Sequence, residues 1–189
     1  EWYRWVKMFY IIDDFIDKDY HFKILELLDG SYFPWYLQKK ISYKTNQESE
    51  SNLREFGFGH TFAHFQKIID TKEAKFIEPL LIKIGQEVKS NIILRSRADM
   101  TMYGKFKHNE HVDFTTDHIT TIYYVNESDG DTILYNEFYD KEMPDKLTIY
   151  KRISPRANRL IVFDGLRIHT GCSPESYKNR IIINSNYER

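Results

Sequence analysis

Turn residues divide the second half of the sequence into short strand-like segments. Residues 92–103 alternate between two faces with a period of two, which favours a β-strand over a helix. Residues 118–125 form another such segment, and the polar run 126–130 that follows it is a turn signal. Further short strands are predicted near residues 132–135, 148–153, 159–163, 167–170 and 180–187. The pattern predicts a mainly β fold.

The first half predicts two helices. Acidic residues before residue 17 and Gly30 after residue 29 mark a helix near 17–29. An apolar stripe with i, i+4 spacing predicts a second helix over 72–88, which we expect Pro79 to kink or restart. Residues 6–12 are expected to form an opening strand.

Two supporting helices followed by seven or eight short strands indicate a double-stranded β-helix, or jelly roll. We expect a single domain over residues 1–189, in which residues 1–90 give helical and strand support and residues 91–189 form the jelly-roll core. A hydrophobic content of 41% and an aromatic content of 16% are consistent with one sizeable core.

Charge and cysteine content narrow the class of protein. A net charge of −1 gives no support for non-specific nucleic-acid binding, so we consider a nucleic-acid partner disfavoured. The only cysteine, Cys172, cannot form an internal disulfide, which favours a reducing compartment. No apolar run reaches the roughly 18 residues of a membrane span, and no signal-peptide pattern is present.

The candidate chemistry lies between residues 111 and 180. His111 and Asp113 are two positions apart, and in a strand such side chains share a face with Cα atoms ~7 Å apart. His169 offers a third ligand from a distant strand. Two histidines and one carboxylate on one side of a metal suit Fe(II) that activates dioxygen. A His-x-Asp pair alone is frequent by chance, but the ordered set His111, Asp113, His169 and Arg180 is far more specific.

The chain resembles the 2-oxoglutarate/Fe(II)-dependent dioxygenases of the prolyl 4-hydroxylase-like branch, and within it the small members of bacteriophages and other viruses. The resemblance spans most of the chain and lies in the blocks Phe33-Pro34-Trp35-Tyr36, His111-Val112-Asp113-Phe114, Ile122-Tyr123-Tyr124-Val125-Asn126, Asn158-Arg159-Leu160-Ile161-Val162-Phe163-Asp164, His169-Thr170-Gly171 and Arg180-Ile181-Ile182-Ile183-Asn184. It implies Fe(II) and the co-substrate 2-oxoglutarate, and it admits ascorbate. With the composition, it predicts a cytoplasmic protein, of the cell itself or of an infected host cell.

The resemblance also implies roles for individual residues. His111, Asp113 and His169 would bind the metal, and no further catalytic residue is implied. Arg180, at the head of an apolar strand, would pair with the C5 carboxylate of 2-oxoglutarate. The alternatives for Arg180 are an internal salt bridge, or transfer of its role to Lys178 or Arg167.

Aromatic and hydroxyl side chains complete the predicted co-substrate site. Tyr124 would bind the same carboxylate, and Tyr103 would lie near the co-substrate; for both, core packing is the alternative. Thr120 shares the strand face of Tyr124 and is included among the cofactor-binding residues.

Other histidines are expected to have structural roles. His60 and His64 show the spacing of a zinc helix motif, but Thr61 stands where that motif needs Glu, so we expect a packed strand over 56–65. His108 and Glu110 are expected to be solvated.

The predicted activity is hydroxylation of a C–H bond, with prolyl residues of a peptide or protein as the expected substrate. The alternatives are an oxygenase that acts on a non-peptide substrate and a cupin-like metal-binding jelly roll. A cupin would normally need a His-x-His pair, which the sequence lacks. Loops 38–55 and 136–147, both long and polar, are candidate substrate lids. The substrate itself and the oligomeric state stay open.

Overall fold

The computed structural model describes residues 8–39 and 56–189. Its elements follow the chain as β1 (Phe9–Ile12), α1 (Lys18–Leu28), β2 (Tyr36–Gln38), β3 (Gly57–His64), β4 (Lys67–Ile68), α2 (Lys72–Val88), β5 (Ile93–Met102), β6 (His118–Tyr124), β7 (Thr132–Phe138), β8 (Ile149–Ile153), β9 (Arg159–Asp164), β10 (Arg167–Gly171) and β11 (Asn179–Glu188). The mainly β prediction with supporting helices is confirmed.

Both helices begin at side-chain caps. Asp17 accepts hydrogen bonds from the backbone N–H groups of Asp19 and Tyr20, at 2.9 and 3.2 Å, and so starts α1. Thr71 accepts one from Ala74 at 3.1 Å and starts α2. Lys89 ends α2 in a left-handed conformation, with φ of 58°. Pro79 does not interrupt α2, which runs unbroken from residue 72 to 88.

Two antiparallel sheets form the jelly roll. The larger has the strand order β1-β9-β6-β11-β5-β3-β2, with β4 paired to β3. The smaller has the order β10-β7-β8. The part of the lid candidate 38–55 beyond residue 39 lies outside the described residues, as do residues 6–7 of the predicted opening strand.

The larger sheet carries an apolar cluster on each face. On its outer face, Tyr123, Ile181 and Ile183 pack in one cluster with Ile24 of α1 and Ile77 of α2. On its inner face, residues of β6, β9 and β11 pack against the smaller sheet in a second cluster: Ile122, Tyr124, Leu134, Ile153, Ile161, Phe163 and Ile182. Alternation along β6 and β11 explains this division, since successive side chains point to opposite faces.

The second candidate lid, residues 136–147, packs on the smaller sheet. Met143 and Leu147 pack against Ile133 and Tyr135 of β7. These two β7 residues alternate with Leu134, which faces the space between the sheets. Residues 143 and 147 therefore cover the outer face of the smaller sheet.

Candidate functional site

The backbone brings residues 111 and 169 side by side. His111 and His169 form an isolated antiparallel bridge, and each backbone N–H donates to the other residue's carbonyl at 3.0 Å. Asp113 lies in a bend two residues further on. The prediction that His111 and Asp113 share a regular strand is therefore wrong. Their side chains converge because the bridge anchors one residue and hydrogen bonds from the larger sheet hold the other.

Three side chains meet at one point between the sheets. The ligand atoms of His111, Asp113 and His169 all lie within 4.8 Å of one another. Nε2 of His169 is 3.8 Å from Oδ2 of Asp113, and the two imidazole centroids are 4.6 Å apart. The structure thus brings together the three residues that the sequence singles out.

Both imidazoles are oriented through their Nδ1 atoms. Nδ1 of His111 lies 2.9 Å from the carbonyl of Asn109, and Nδ1 of His169 lies 3.1 Å from that of Arg167. A backbone carbonyl can only accept, so each Nδ1 carries a proton, and in the neutral imidazole Nε2 then presents a lone pair. Nε2 of His169 is buried without a hydrogen-bond partner.

The electrostatics of the cluster suit a cation. Burial, together with the neighbouring His111, lowers the pKa of His169 to about 4, so this imidazole is neutral near pH 7. Burial is the largest influence on Asp113 and opposes its ionisation, but the Arg95 guanidinium, the two histidines and the hydrogen bond from Asn186 together outweigh it and hold the pKa of that carboxyl well below its usual value. Neutral imidazole nitrogens and one carboxylate match the donor set of Fe(II) oxygenase sites, so the residues present fit that metal.

A buried arginine lines the same pocket as the three residues. Arg180 is 3% exposed, and its Nη2 donates to Oγ1 of Thr132 at 2.7 Å. The Tyr124 hydroxyl donates to that same oxygen at 2.7 Å, and the Tyr124 ring lies 5.7 Å from the guanidinium carbon. Within residues 8–39 and 56–189, no carboxylate lies at ion-pair distance from Arg180. A buried cation without an anion is costly, so this end of the pocket favours an anionic ligand.

The other residues considered for co-substrate binding lie away from Arg180. Thr120 lies against Asp113, at 3.4 Å from Oδ2, rather than beside Arg180. Tyr103 follows the end of β5, is 58% exposed and is outside the pocket lining. Lys178 is exposed. Arg167 is buried, with its guanidinium between the rings of Phe138 and Tyr150 at 4.5 Å from each.

The remaining histidines also have defined places. His60 lies in β3, as predicted, and its Nδ1 is 2.9 Å from the carbonyl of Pro34. The expectation that His108 is solvated is wrong, because it is 4% exposed and lines the pocket. Its ring packs edge-on against Phe106 at 5.2 Å, which accounts for its burial.

Sequence reasoning missed several residues around the site. Thr132 joins Arg180 to Tyr124, while Asn184 and Asn186 donate to Asp113. One signal was present: Arg180, Asn184 and Asn186 share one face of a strand that is otherwise apolar at its centre. Polar side chains on a buried strand need partners, and here the partners are the site residues.

Fold and site together define a jelly-roll protein with a candidate metal centre and a buried arginine in one pocket. Residues 98–188 match the family model described as the 2OG-Fe(II) oxygenase superfamily. Residues 98–188 therefore match a domain of this superfamily, which is named for Fe(II) and 2-oxoglutarate. No curated protein sequence matches the chain.

Solved structures share the fold at low sequence identity. A prolyl hydroxylase from Trichoplax adhaerens, in complex with a hypoxia inducible factor peptide fragment, has a TM-score of 0.66 and 16% identity over 97% of this chain and 84% of its own. A Pseudomonas putida prolyl-4-hydroxylase has a TM-score of 0.58 and 12% identity over 97% and 94%. The alpha-ketoglutarate-dependent epimerase SnoN, from nogalamycin biosynthesis, has a TM-score of 0.67 and 8% identity over 96% and 76%. These likenesses confirm the jelly-roll prediction.

Proposed function

We propose that the chain is an Fe(II)- and 2-oxoglutarate-dependent dioxygenase that hydroxylates a C–H bond, with prolyl residues of a peptide or protein as its substrate. His111, Asp113 and His169 would hold Fe(II). Bound iron would couple the oxidative decarboxylation of 2-oxoglutarate to the oxidation of the substrate. The observation that carries the proposal is Arg180, a buried cation without a carboxylate partner among the described residues, in the pocket that the three ligands line.

The charges of the site match the co-substrate. Two neutral imidazoles and one carboxylate leave a divalent ion with a single net positive charge, and Arg180 adds a second. A dianion such as 2-oxoglutarate balances both, with its C5 carboxylate at the planar guanidinium. The Tyr124 hydroxyl donates to the Thr132 oxygen that Arg180 also contacts, and it would have to turn from that oxygen to donate to the carboxylate.

Part of the pocket wall is apolar. Ile122 and Ile182 line the pocket, and both belong to the apolar cluster between the sheets. Apolar surroundings of this kind would strengthen the interaction of Arg180 with an anion.

The proposal covers the whole chain as one domain. The outer cluster contains Ile24 and Ile77 from the first 90 residues together with Tyr123, Ile181 and Ile183 from the remainder. This continuous core supports the proposal that residues 1–90 support the jelly roll formed by residues 91–189.

The use of ascorbate, a cytoplasmic location and the likeness to small bacteriophage and viral members stay predictions. Among the described residues, no helix is long and apolar enough to cross a membrane.

Removing the Arg180 guanidinium tests the co-substrate site. Arg180→Ala should leave Fe(II) binding intact and weaken 2-oxoglutarate binding about 30-fold or more, since losing one partner of a buried charge pair costs on the order of 2–5 kcal/mol. Arg180→Lys should recover only part, because an ammonium cannot make a two-point contact. The measurement is an anaerobic titration of 2-oxoglutarate into Fe(II)-loaded protein, followed by the metal-to-ligand absorption band.

The exposed Lys178, two residues before Arg180, gives a matched control. Lys178→Ala should bind 2-oxoglutarate as the unmodified protein does. An unchanged affinity in Arg180→Ala would make Arg180 structural and would remove the main support for the proposal.

The substrate class is tested separately, by mass spectrometry of proline-containing peptides incubated with protein, Fe(II) and 2-oxoglutarate. A peptide that gains one oxygen atom would support the prolyl proposal. A small-molecule substrate is the second candidate, since SnoN has been solved with Fe3+, alpha-ketoglutarate and the small molecule nogalamycin RO. Oxidation of small molecules, with no peptide gaining an oxygen atom, would favour the small-molecule candidate.

A further inference from the structure

The carboxylate of Asp113 is held by four side chains. Nη2 of Arg95 donates to Oδ1 at 2.7 Å, and Nδ2 of Asn186 donates to Oδ2 at 2.9 Å. Asn184 contacts both oxygens at 3.3 and 3.2 Å, and Thr120 donates to Oδ2 at 3.4 Å. The Asp113 side chain is 5% exposed, so protein groups replace most of its water.

Three of these donors form a row across adjacent strands of the larger sheet. Asn186 of β11 is in register with Arg95 of β5 on one side and with Thr120 of β6 on the other. Nδ2 of Asn186 also lies 3.1 Å from Oγ1 of Thr120, which links the two. We call Arg95, Asn186 and Thr120 the donor row. The donor row belongs to the hydrogen-bonded larger sheet, whereas Asp113 itself lies in a bend outside any strand.

The two oxygens of Asp113 have different surroundings. Oδ2 faces the histidines, at 3.8 Å from Nε2 of His169. Oδ1 is bonded to the Arg95 guanidinium. A carboxylate that binds a metal through both oxygens needs both directed at the ion, and the Arg95 contact holds Oδ1 away.

We infer that the donor row positions Asp113 for a metal: Asn186 and Thr120 hold Oδ2 towards the histidines, and Arg95 holds Oδ1 away from them. This inference rests on the proposed function, because it presumes a metal at the His111, Asp113 and His169 cluster. Arg95 and Asn186 are positioning residues that act through Asp113. Partners of this kind orient a ligand before the ion arrives, and their loss typically lowers metal affinity about 10- to 100-fold. By keeping Oδ1 away from the ion, Arg95 would leave a position open for co-substrate or water.

Two variants without a change of net charge test the inference, with Mn(II) as the probe. Asn186→Ala and Arg95→Lys should each raise the Kd for Mn(II) about ten-fold or more, measured from the free-ion signal in electron paramagnetic resonance. Arg159→Lys is a matched control, because Arg159 pairs with Asp13 at the surface, away from the pocket. It should bind Mn(II) like the unmodified protein.

A second measurement reads the coordination itself. In Arg95→Met the freed Oδ1 should also bind the ion and displace a water, so the relaxation of water protons per bound Mn(II) should fall. Circular dichroism of each metal-free variant checks folding. If Asn186→Ala does not fold, Arg95→Lys carries the test, because the Arg95 side chain is 22% exposed.

The outcomes are separable. Unchanged Mn(II) affinity in the folded variants would overturn the positioning role, and unchanged relaxation in Arg95→Met would overturn coordination through one oxygen. Unmodified protein that binds neither Mn(II) nor Fe(II) would instead overturn the proposed function.

Discussion

At the scale of single residues, the site depends on which atoms are left without partners. Nε2 of His169 is buried and unpaired, and Arg180 is buried without an acidic partner in the part of the chain that the structure describes. Unpaired buried groups are costly, so they favour ligands that pair with them. The three candidate metal ligands each contribute one donor atom, and none duplicates another.

Loss of any one candidate ligand should therefore be severe. His111→Ala or Asp113→Ala should nearly abolish Fe(II) binding, because two protein ligands hold the ion far less well than three. Metal analysis after anaerobic loading with Fe(II) and gel filtration gives the iron content per chain. His64→Ala is the control, since His64 is exposed at the end of β3 and should leave the content at one ion. Undiminished iron in Asp113→Ala would refute the assignment.

At the scale of elements, the turn between β9 and β10 decides where His169 lies. Gly165 sits in this turn, and its N–H donates to the carbonyl of His118 at 2.9 Å. A Cβ at position 165 would lie 2.3 Å from the ring of His118. His118 begins β6 and is fully buried, so the turn packs tightly on its neighbour strand.

Gly165→Ala should consequently destabilise the protein. Overpacking of a buried site typically costs about 1–3 kcal/mol, to be measured as a lower free energy of unfolding in urea. His118→Ala removes the clashing ring, so the double variant should lose less than the sum of the two single changes. Strict additivity of the two changes would show that the turn relaxes without touching His118.

At the scale of the whole molecule, burial lowers the pKa of three histidines in different layers. His21 joins α1 to the larger sheet through the Tyr123 hydroxyl at 2.7 Å, and burial lowers its pKa from the usual value. Burial likewise lowers the pKa of His118, and it lowers that of His169 to about 4. In the unfolded chain all three titrate near 6.5, so the unfolded state binds protons more readily.

The metal-free protein should accordingly lose stability as the pH falls from about 6.5 towards 4. Each histidine contributes a slope of up to about 1.4 kcal/mol per pH unit between its unfolded and folded pKa. Urea unfolding between pH 8 and pH 5 measures this, and above pH 7 these groups should contribute no slope. His21→Gln should make the slope shallower. A free energy of unfolding that stays constant between pH 7 and pH 5 would contradict the prediction.

The sequence by itself determined the architecture and the chemical core of the site. Alternation with period two placed strands close to their observed positions, because the faces of a sheet impose that period on any strand with one buried side. Caps and an apolar stripe gave both helices. The order of His111, Asp113, His169 and Arg180 carried the family resemblance, since metal and anion binding need particular side chains.

Only the tertiary structure decided how those side chains are held. Asp113 was expected in a strand but lies in a bend, and its orientation comes from Arg95, Thr120 and Asn186, the last of them 73 residues away. The pattern of β11 places Arg180, Asn184 and Asn186 on one face, but no local pattern in β5 or β11 identifies the carboxylate that these strands contact. Strand register creates these neighbours, and register follows from the packing of both sheets as a whole, which no short segment encodes.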